Sequence, residues 1–252
     1  MSLVSIIIPY YKKKNYINKT IKSALNQSYK KTEIILVYDD KDKKDLEFLK
    51  KKYKKINKIK IIVNKKNLGA GLSRNNGIEN SNGKYIAFLD ADDFWKKNKL
   101  QKQIKFMKQK GAFISHTTYN SLNIAGKIVG KRTARNFYHV NDLLTSCDIG
   151  LSTVIIDKKI YGRDCNFSNF KTKEDFVFWL KVLKKGYSIY GLNQNLASWK
   201  ETENSLSAST IQKLKDGYKV YFSHMKFNFF KSFIYLIYLS LNYIKKDYLR
   251  WN

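Results

Sequence analysis

One proline, two cysteines and three histidines are all that 252 residues supply of these types. Each shortage closes off a class of protein. Pro9 stands alone and the twelve glycines are scattered, so no Pro-rich or Gly/Ser-rich linker divides the chain. Cys147 and Cys165 have no paired spacing, which excludes a disulfide scaffold or thiolate metal cage and suits a reducing compartment. His116, His139 and His224 are isolated and build no histidine metal motif. Arginine occurs only at Arg74, Arg132, Arg135, Arg163 and Arg250. Base-reading proteins depend on arginine forks, so sequence-specific nucleic-acid recognition is not expected. No run reaches the roughly 18–20 apolar residues that span a bilayer. Val4–Ile8 is too short for a secretion signal, and Pro9 breaks it.

Lysine is abundant instead. Lys and Arg total 49 against 20 Asp and Glu, a formal charge of +29. This excess attracts polyanions: nucleic acid, anionic lipid and phosphorylated substrates. A non-catalytic polyanion or nucleic-acid-binding protein is the alternative reading it sustains, although a lysine-rich genome explains much of the charge equally well. Near the C-terminus, Phe227–Ile244 is rich in aromatic and aliphatic residues and is followed by Lys245 and Lys246. That pattern suits a helix lying in a membrane interface, on an anionic surface, or packed on the core. A homo-oligomer contact is also open to it.

The first hundred residues alternate between apolar runs of strand length and segments of helical periodicity. Strands are expected at Val4–Ile8, Ile34–Val37, Ile59–Val63 and Tyr85–Leu89, with helices at Tyr16–Asn26, Lys43–Tyr53, Leu72–Ser81 and Leu100–Lys110. Such alternation predicts an α/β fold, a mostly parallel Rossmann-like sheet flanked by helices. After Gly111 the pattern loosens. Strands at Phe113–Thr117, Lys127–Lys131 and Ser152–Ile156 predict a mixed half, and Glu174–Lys185 reads as a helix stopped by Gly186. Leu206–Tyr221 reads as a further helix leading into the apolar tail.

The most informative segment is Tyr85-Ile-Ala-Phe-Leu-Asp-Ala-Asp-Asp93, a buried-type strand ending in three carboxylates. Open α/β sheets bind ligands at the carboxyl ends of their strands. Carboxylates this close repel unless a cation or donor network compensates them. Oxygen ligands suit a hard ion such as Mn²⁺ or Mg²⁺ sharing its shell with phosphates. A solvated acidic turn capping the next helix is the plainer possibility.

Four further segments accompany it in order: Val4-Ser-Ile-Ile-Ile-Pro-Tyr-Tyr11, Glu33-Ile-Ile-Leu-Val-Tyr-Asp-Asp40, Asn67-Leu-Gly-Ala-Gly-Leu-Ser-Arg-Asn-Asn-Gly77 and Lys173-Glu-Asp-Phe-Val-Phe-Trp-Leu180. Together they closely resemble the family 2 glycosyltransferases of the GT-A fold, over roughly residues 2–209. The resemblance implies a nucleotide-sugar-binding half at 1–110. It also implies an acceptor-binding and catalytic-base half at 111–210, with a helical tail at 211–252 open to membrane association.

It also implies roles. Pro9 and Tyr11 match the loop that receives the nucleoside, with an aromatic face for uracil. Asp39 matches the carboxylate that accepts the base N–H. The usual Asp-Asp-Gly-Ser is here Tyr38-Asp39-Asp40-Lys41, so the choice between Asp39 and Asp40 stays open. Asn67, Gly69, Arg74 and Asn75 match the donor-site lining, Arg74 supplying a fixed charge for diphosphate. Asp90 and Asp92 match the Asp-x-Asp motif, with Asp92 the direct metal ligand and Asp90 on the ribose or a bound water. Glu174 and Asp175 match the acidic pair that supplies the catalytic base, Asp175 taking the proton. The stretch Ser198–Ser207 resembles a loop that often carries a histidine; Thr202 stands near that position, and Lys200 could reach the diphosphate. The implied protein is an inverting, metal-dependent transferase. It is expected to move a sugar from a UDP-linked donor to a hydroxyl of a glycan or lipid-linked acceptor for bacterial surface polysaccharide. Its expected place is cytoplasmic, peripheral on the inner face of the cell membrane.

Overall fold

The computed structural model describes residues 1–202 and 209–251, with side chains through 245. β1 (Val4–Tyr10), β2 (Thr32–Tyr38), β3 (Ile59–Val63) and β4 (Tyr85–Phe88) form a parallel sheet in the order β3-β2-β1-β4. Their connections are the helices α1 (Lys14–Leu25), α2 (Leu46–Tyr53) and α3 (Ala70–Glu79). β1, β2 and β4 are largely buried on both faces, β3 lies half-buried at the sheet edge, and the period of two distributes the side chains between two cores. Ile6, Ile8, Ile34 and Leu36 pack with Ile17 and Ile21 of α1 and Leu49 of α2. Ile7, Ile35 and Val37 face the opposite way, toward Ile78 of α3.

The sheet continues without a break into the second half. β5 (Phe94–Trp95), α4 (Lys99–Lys110), β6 (Ile114–Leu122), β7 (Ile128–Arg132) and β8 (Ile155–Asp157) follow, then α5 (Glu174–Lys184) and β9 (Tyr190–Lys200). β8 joins β4 antiparallel, and the order runs on through β6, β9 and β5, with β7 beside β6. The apolar face of α5, including Phe176, Trp179, Leu180 and Leu183, is fully enclosed. Gly186, just beyond that helix, adopts φ +81°, a left-handed conformation that costs glycine little. α6 (Thr210–Lys219), a single π-type turn (Val220–His224) and α7 (Phe229–Trp251) close the chain.

Four expectations shift. The helix placed at Lys43–Tyr53 begins only at Leu46, because Lys43 takes a left-handed φ of 54° inside a turn. Ser152 lies in a short 3₁₀ turn (Leu151–Thr153), and the strand starts at Ile155. Ser198–Lys200 end a long strand, β9, rather than opening a loop. α6 starts at Thr210, and residues 203–208 of the expected loop and helix lie outside the described residues.

Candidate active site

The carboxyl ends of β1, β2 and β4 converge where the sequence motifs place their polar residues. After β2, the Asp39 carboxylate accepts hydrogen bonds from Asn64 Nδ2 (2.7 Å), Leu68 N–H (2.8 Å) and Gly69 N–H (2.8 Å). Asn67 Nδ2 donates to the Asp39 carbonyl at 3.0 Å. Asp39 thereby fixes the loop between β3 and α3, in which Gly69 takes φ +84° as the helix N-cap. Asp40 accepts a local bond from Asp42 N–H. Asn64 is a supporting residue not singled out from the sequence: its amide also donates to Ser73 and accepts from Asn76. Its one signal was its place as the first polar residue after β3.

On β1, Tyr10 stacks on Tyr38 of β2 with ring centroids 5.3 Å apart, and its hydroxyl donates to Asp45. Pro9 pairs with Val37, and Tyr11 is exposed at the strand's end. The aromatic that faces solvent there is Tyr11, and Tyr10 belongs to the core.

Arg74, on α3, is 3 % exposed and joins the two halves of the site. Its guanidinium donates to Asp90 Oδ1 and to Glu174 Oε1, both at 2.7 Å. The two carboxylates raise its pKa against the opposing effect of burial. The fork is therefore committed to carboxylates within the protein. Gly71 makes the approach possible, because a Cβ there would collide with the Ser168 carbonyl and press on Glu174. Asn75 exchanges hydrogen bonds with the Phe167 backbone and so anchors the segment before α5.

The three carboxylates after β4 have different surroundings. Asp90 is held by Arg74, and its own N–H donates to Ser152 Oγ. Asp93 is buried, accepting from Ser152 Oγ at 2.5 Å and from Lys200 N–H at 2.9 Å. Burial, followed by repulsion from Asp92 and Asp90, pushes its pKa well up. Asp93 thus ties the end of β9 to the β4 strand end. Asp92 Oδ2 lies 2.9 Å from Lys13 Nζ and accepts from Thr202 Oγ1 at 3.0 Å. Lys13 also donates to Thr202 Oγ1, at 2.6 Å. Neither Lys13 nor this closed triangle was foreseen, since a lysine among Lys12, Lys13 and Lys14 carries no signal of its own. Lys200 Nζ sits 5.1 Å from the Tyr16 ring centroid.

Asp92 Oδ1 and Asp90 Oδ2 take no hydrogen bond among the described residues, and no group of three or more His, Cys, Asp or Glu there could cage a metal alone. A hard divalent ion at Asp90 and Asp92 would have to complete its shell with substrate oxygens.

Glu174 and Asp175 open α5, where a helix N-terminus favours acids. Burial raises the pKa of both. Arg74 opposes the rise at Glu174, and Lys173 and Arg74 oppose it at Asp175. Asp175 Oδ1 accepts from Phe176 N–H at 2.7 Å. The turn before α5 is secured by Asp216 of α6, whose carboxylate accepts from Thr172 N–H and Oγ1.

A parallel half-sheet with carboxylates at its strand ends, continuous with a mixed half that presents an acidic helix start, is the GT-A fold of glycosyltransferases. The crystal structure of S. aureus TarS 1-349 in complex with UDP-GlcNAc shares it, with a TM-score of 0.71 over 87 % of this chain and 64 % of that one, at 21 % identity. The pattern described as glycosyl transferase family 2 matches residues 5–159, and the chain belongs to that family. It is 35 % identical over 251 residues to the putative teichuronic acid biosynthesis glycosyltransferase TuaG of Bacillus subtilis, covering 97 % of each. To the UDP-Glc:alpha-D-GlcNAc-diphosphoundecaprenol beta-1,3-glucosyltransferase WfgD of Escherichia coli it is 33 % identical over 249 residues, covering 96 % of this chain and 92 % of that one.

Proposed function

We propose that this family 2 glycosyltransferase transfers a sugar, with inversion, from a UDP-sugar to a hydroxyl of a lipid-linked oligosaccharide in bacterial surface-polysaccharide synthesis. The carrying observation is Arg74, which ties Asp90 at the end of β4 to Glu174 at the start of α5, so that the donor-type and base-type acids share one cleft. Residues 1–110 hold the donor, residues 111–210 supply acceptor contacts and the base, and residues 211–252 meet the membrane. Pro9 and Tyr11 border the nucleoside, Asp39 takes the base N–H, and Asn67, Gly69 and Lys200 line the phosphates. Asp92, with Asp90 beside it, would hold Mn²⁺ or Mg²⁺, and such an ion would supply positive charge to offset the departing diphosphate. Asp175 accepts the acceptor hydroxyl's proton while that oxygen bonds to the anomeric carbon. The bond from that carbon to the diphosphate oxygen breaks, and UDP leaves with its electron pair. Glu174, held by Arg74, fixes the base helix.

The named relatives support the substrate class: one acts on a diphosphoundecaprenol acceptor and takes UDP-Glc. Calorimetric titration with UDP, and with GDP as control, tests the reading. UDP should bind with Mn²⁺ present and lose that binding in Asp92→Ala. Asp175→Asn should retain UDP binding and lose transfer by at least about a hundredfold, the usual contribution of a general base. Failure of UDP to bind, or full transfer by Asp175→Asn, refutes it.

A further inference from the structure

Each carboxylate after β4 already has a compensating partner. Arg74 holds Asp90, Ser152 and the Lys200 N–H hold Asp93, and the Lys13 ammonium holds Asp92. The Lys13–Asp92 pair is largely enclosed, its side chains 19 % and 16 % exposed. Thr202 closes the triangle by accepting from Lys13 and donating to Asp92. The backbone beneath Lys13 is fixed, its carbonyl accepting from Tyr16 and Ile17 N–H as α1 begins. Its side chain, however, is four flexible methylenes ending in three donors, two of them used here.

A divalent ion approaching Asp92 therefore meets a positive charge on the same carboxylate. It can settle only if the ammonium finds another anion. We propose that Lys13 is a donor-binding residue that couples ion binding to donor binding. In the donor-free protein it neutralises Asp92, and when the donor arrives it passes to the diphosphate, leaving the carboxylate to the ion. Lys13 thus acts as a tethered competitor of the ion and then as a ligand of the same phosphates. Because coupling is reciprocal, the nucleotide must tighten the ion as much as the ion tightens the nucleotide. The inference rests on the nucleotide-sugar reading of the site.

Titration calorimetry with Mn²⁺ alone, UDP alone and UDP at saturating Mn²⁺ tests it on the wild type, Lys13→Met, Lys13→Arg and Thr202→Val. In the wild type, Mn²⁺ alone should bind weakly and UDP should tighten it. Lys13→Met should bind Mn²⁺ alone about tenfold more tightly and UDP alone more weakly, shrinking the mutual enhancement by about tenfold, the scale of removing one close like charge. Lys13→Arg should keep the wild-type coupling. Thr202→Val, which loosens the same ammonium, should move in the direction of Lys13→Met. UDP binding in the wild type together with unchanged enhancement in Lys13→Met overturns the proposal and leaves the donor site standing. If the wild type binds no UDP, both readings fall.

Discussion

At the residue scale, Arg74 contributes through its position between acids. Its enclosed guanidinium is bonded on one side to Asp90 and on the other to Glu174, at equal distances of 2.7 Å. Burial raises the pKa of the base candidate Asp175, and the Arg74 charge acts against that rise. A general base must be unprotonated, so activity fails on the acid side of the base's pKa. The acid limb of the kcat/KM profile should therefore lie above the ordinary aspartate range. Replacing Arg74 by Met removes one opposing charge and leaves Lys173 and the Phe176 N–H to counter burial, so the limb should move to higher pH, with activity lost at pH values where the wild type still works. A limb that stays in place, measured on folded Arg74→Met, would mean that Arg74 does not act on the base. None of this arrangement is visible in Asn67–Gly77 read alone, where Arg74 looks like a free cation awaiting diphosphate. Residue type and motif gave the partners; which of them Arg74 grips depends on the crossing of α3 with α5.

At the element scale, the helices of the tail and the base helix are one assembly. Thr172 gives both its N–H and its hydroxyl to the buried Asp216, so α6 holds the turn from which α5 starts. Left-handed Lys173, φ 66°, sits between them and requires this support. Asp216→Ala should lower stability by about 1–3 kcal/mol, the cost of orphaning buried donors to a charged acceptor. It should also reduce transfer while leaving UDP affinity intact, because the donor half does not touch Asp216. Denaturant melts and parallel UDP titrations separate the two effects; weakened UDP binding would show that α6 supports the donor half too.

The parallel strands were readable because their apolar runs alternate with helical periods, and the two-core burial follows from that pattern. β9 was not readable. Gly191, Asn193, Gln194 and Asn195 are poor strand formers, and the strand is placed by parallel pairing with β6 across register shifts. Nor could β5 be found, since two residues have no periodicity. Lys13 escaped for a third reason: its partners Asp92 and Thr202 are remote in sequence, and only the sheet order brings β1, β4 and the end of β9 together.

At the scale of the whole molecule, charge and apolar surface act together at the tail. α7 turns Leu236 and Leu239 toward Gly217 of α6 and leaves Phe229, Phe230, Phe233, Ile234, Ile237 and Leu241 exposed. Among the described residues no helix is long and apolar enough to cross a membrane. An exposed apolar helix face on a chain of net charge +29 suits docking in the plane of an anionic bilayer, which would bring the cleft to a lipid-linked acceptor. Each lysine near such a surface adds about 1 kcal/mol, screened by salt. The protein should therefore sediment with vesicles containing phosphatidylglycerol and much less with neutral vesicles, and salt should weaken binding without abolishing it. Phe230→Glu with Phe233→Glu should remove the salt-resistant part, since those rings are exposed and their loss costs the fold little. UDP binding should be unchanged, because the donor-site residues lie on strand ends and loops that α7 does not form. Binding that salt abolishes completely, or that the double substitution does not touch, would reduce the tail's role to a lysine field and leave its apolar face to another partner, a second copy of the chain included.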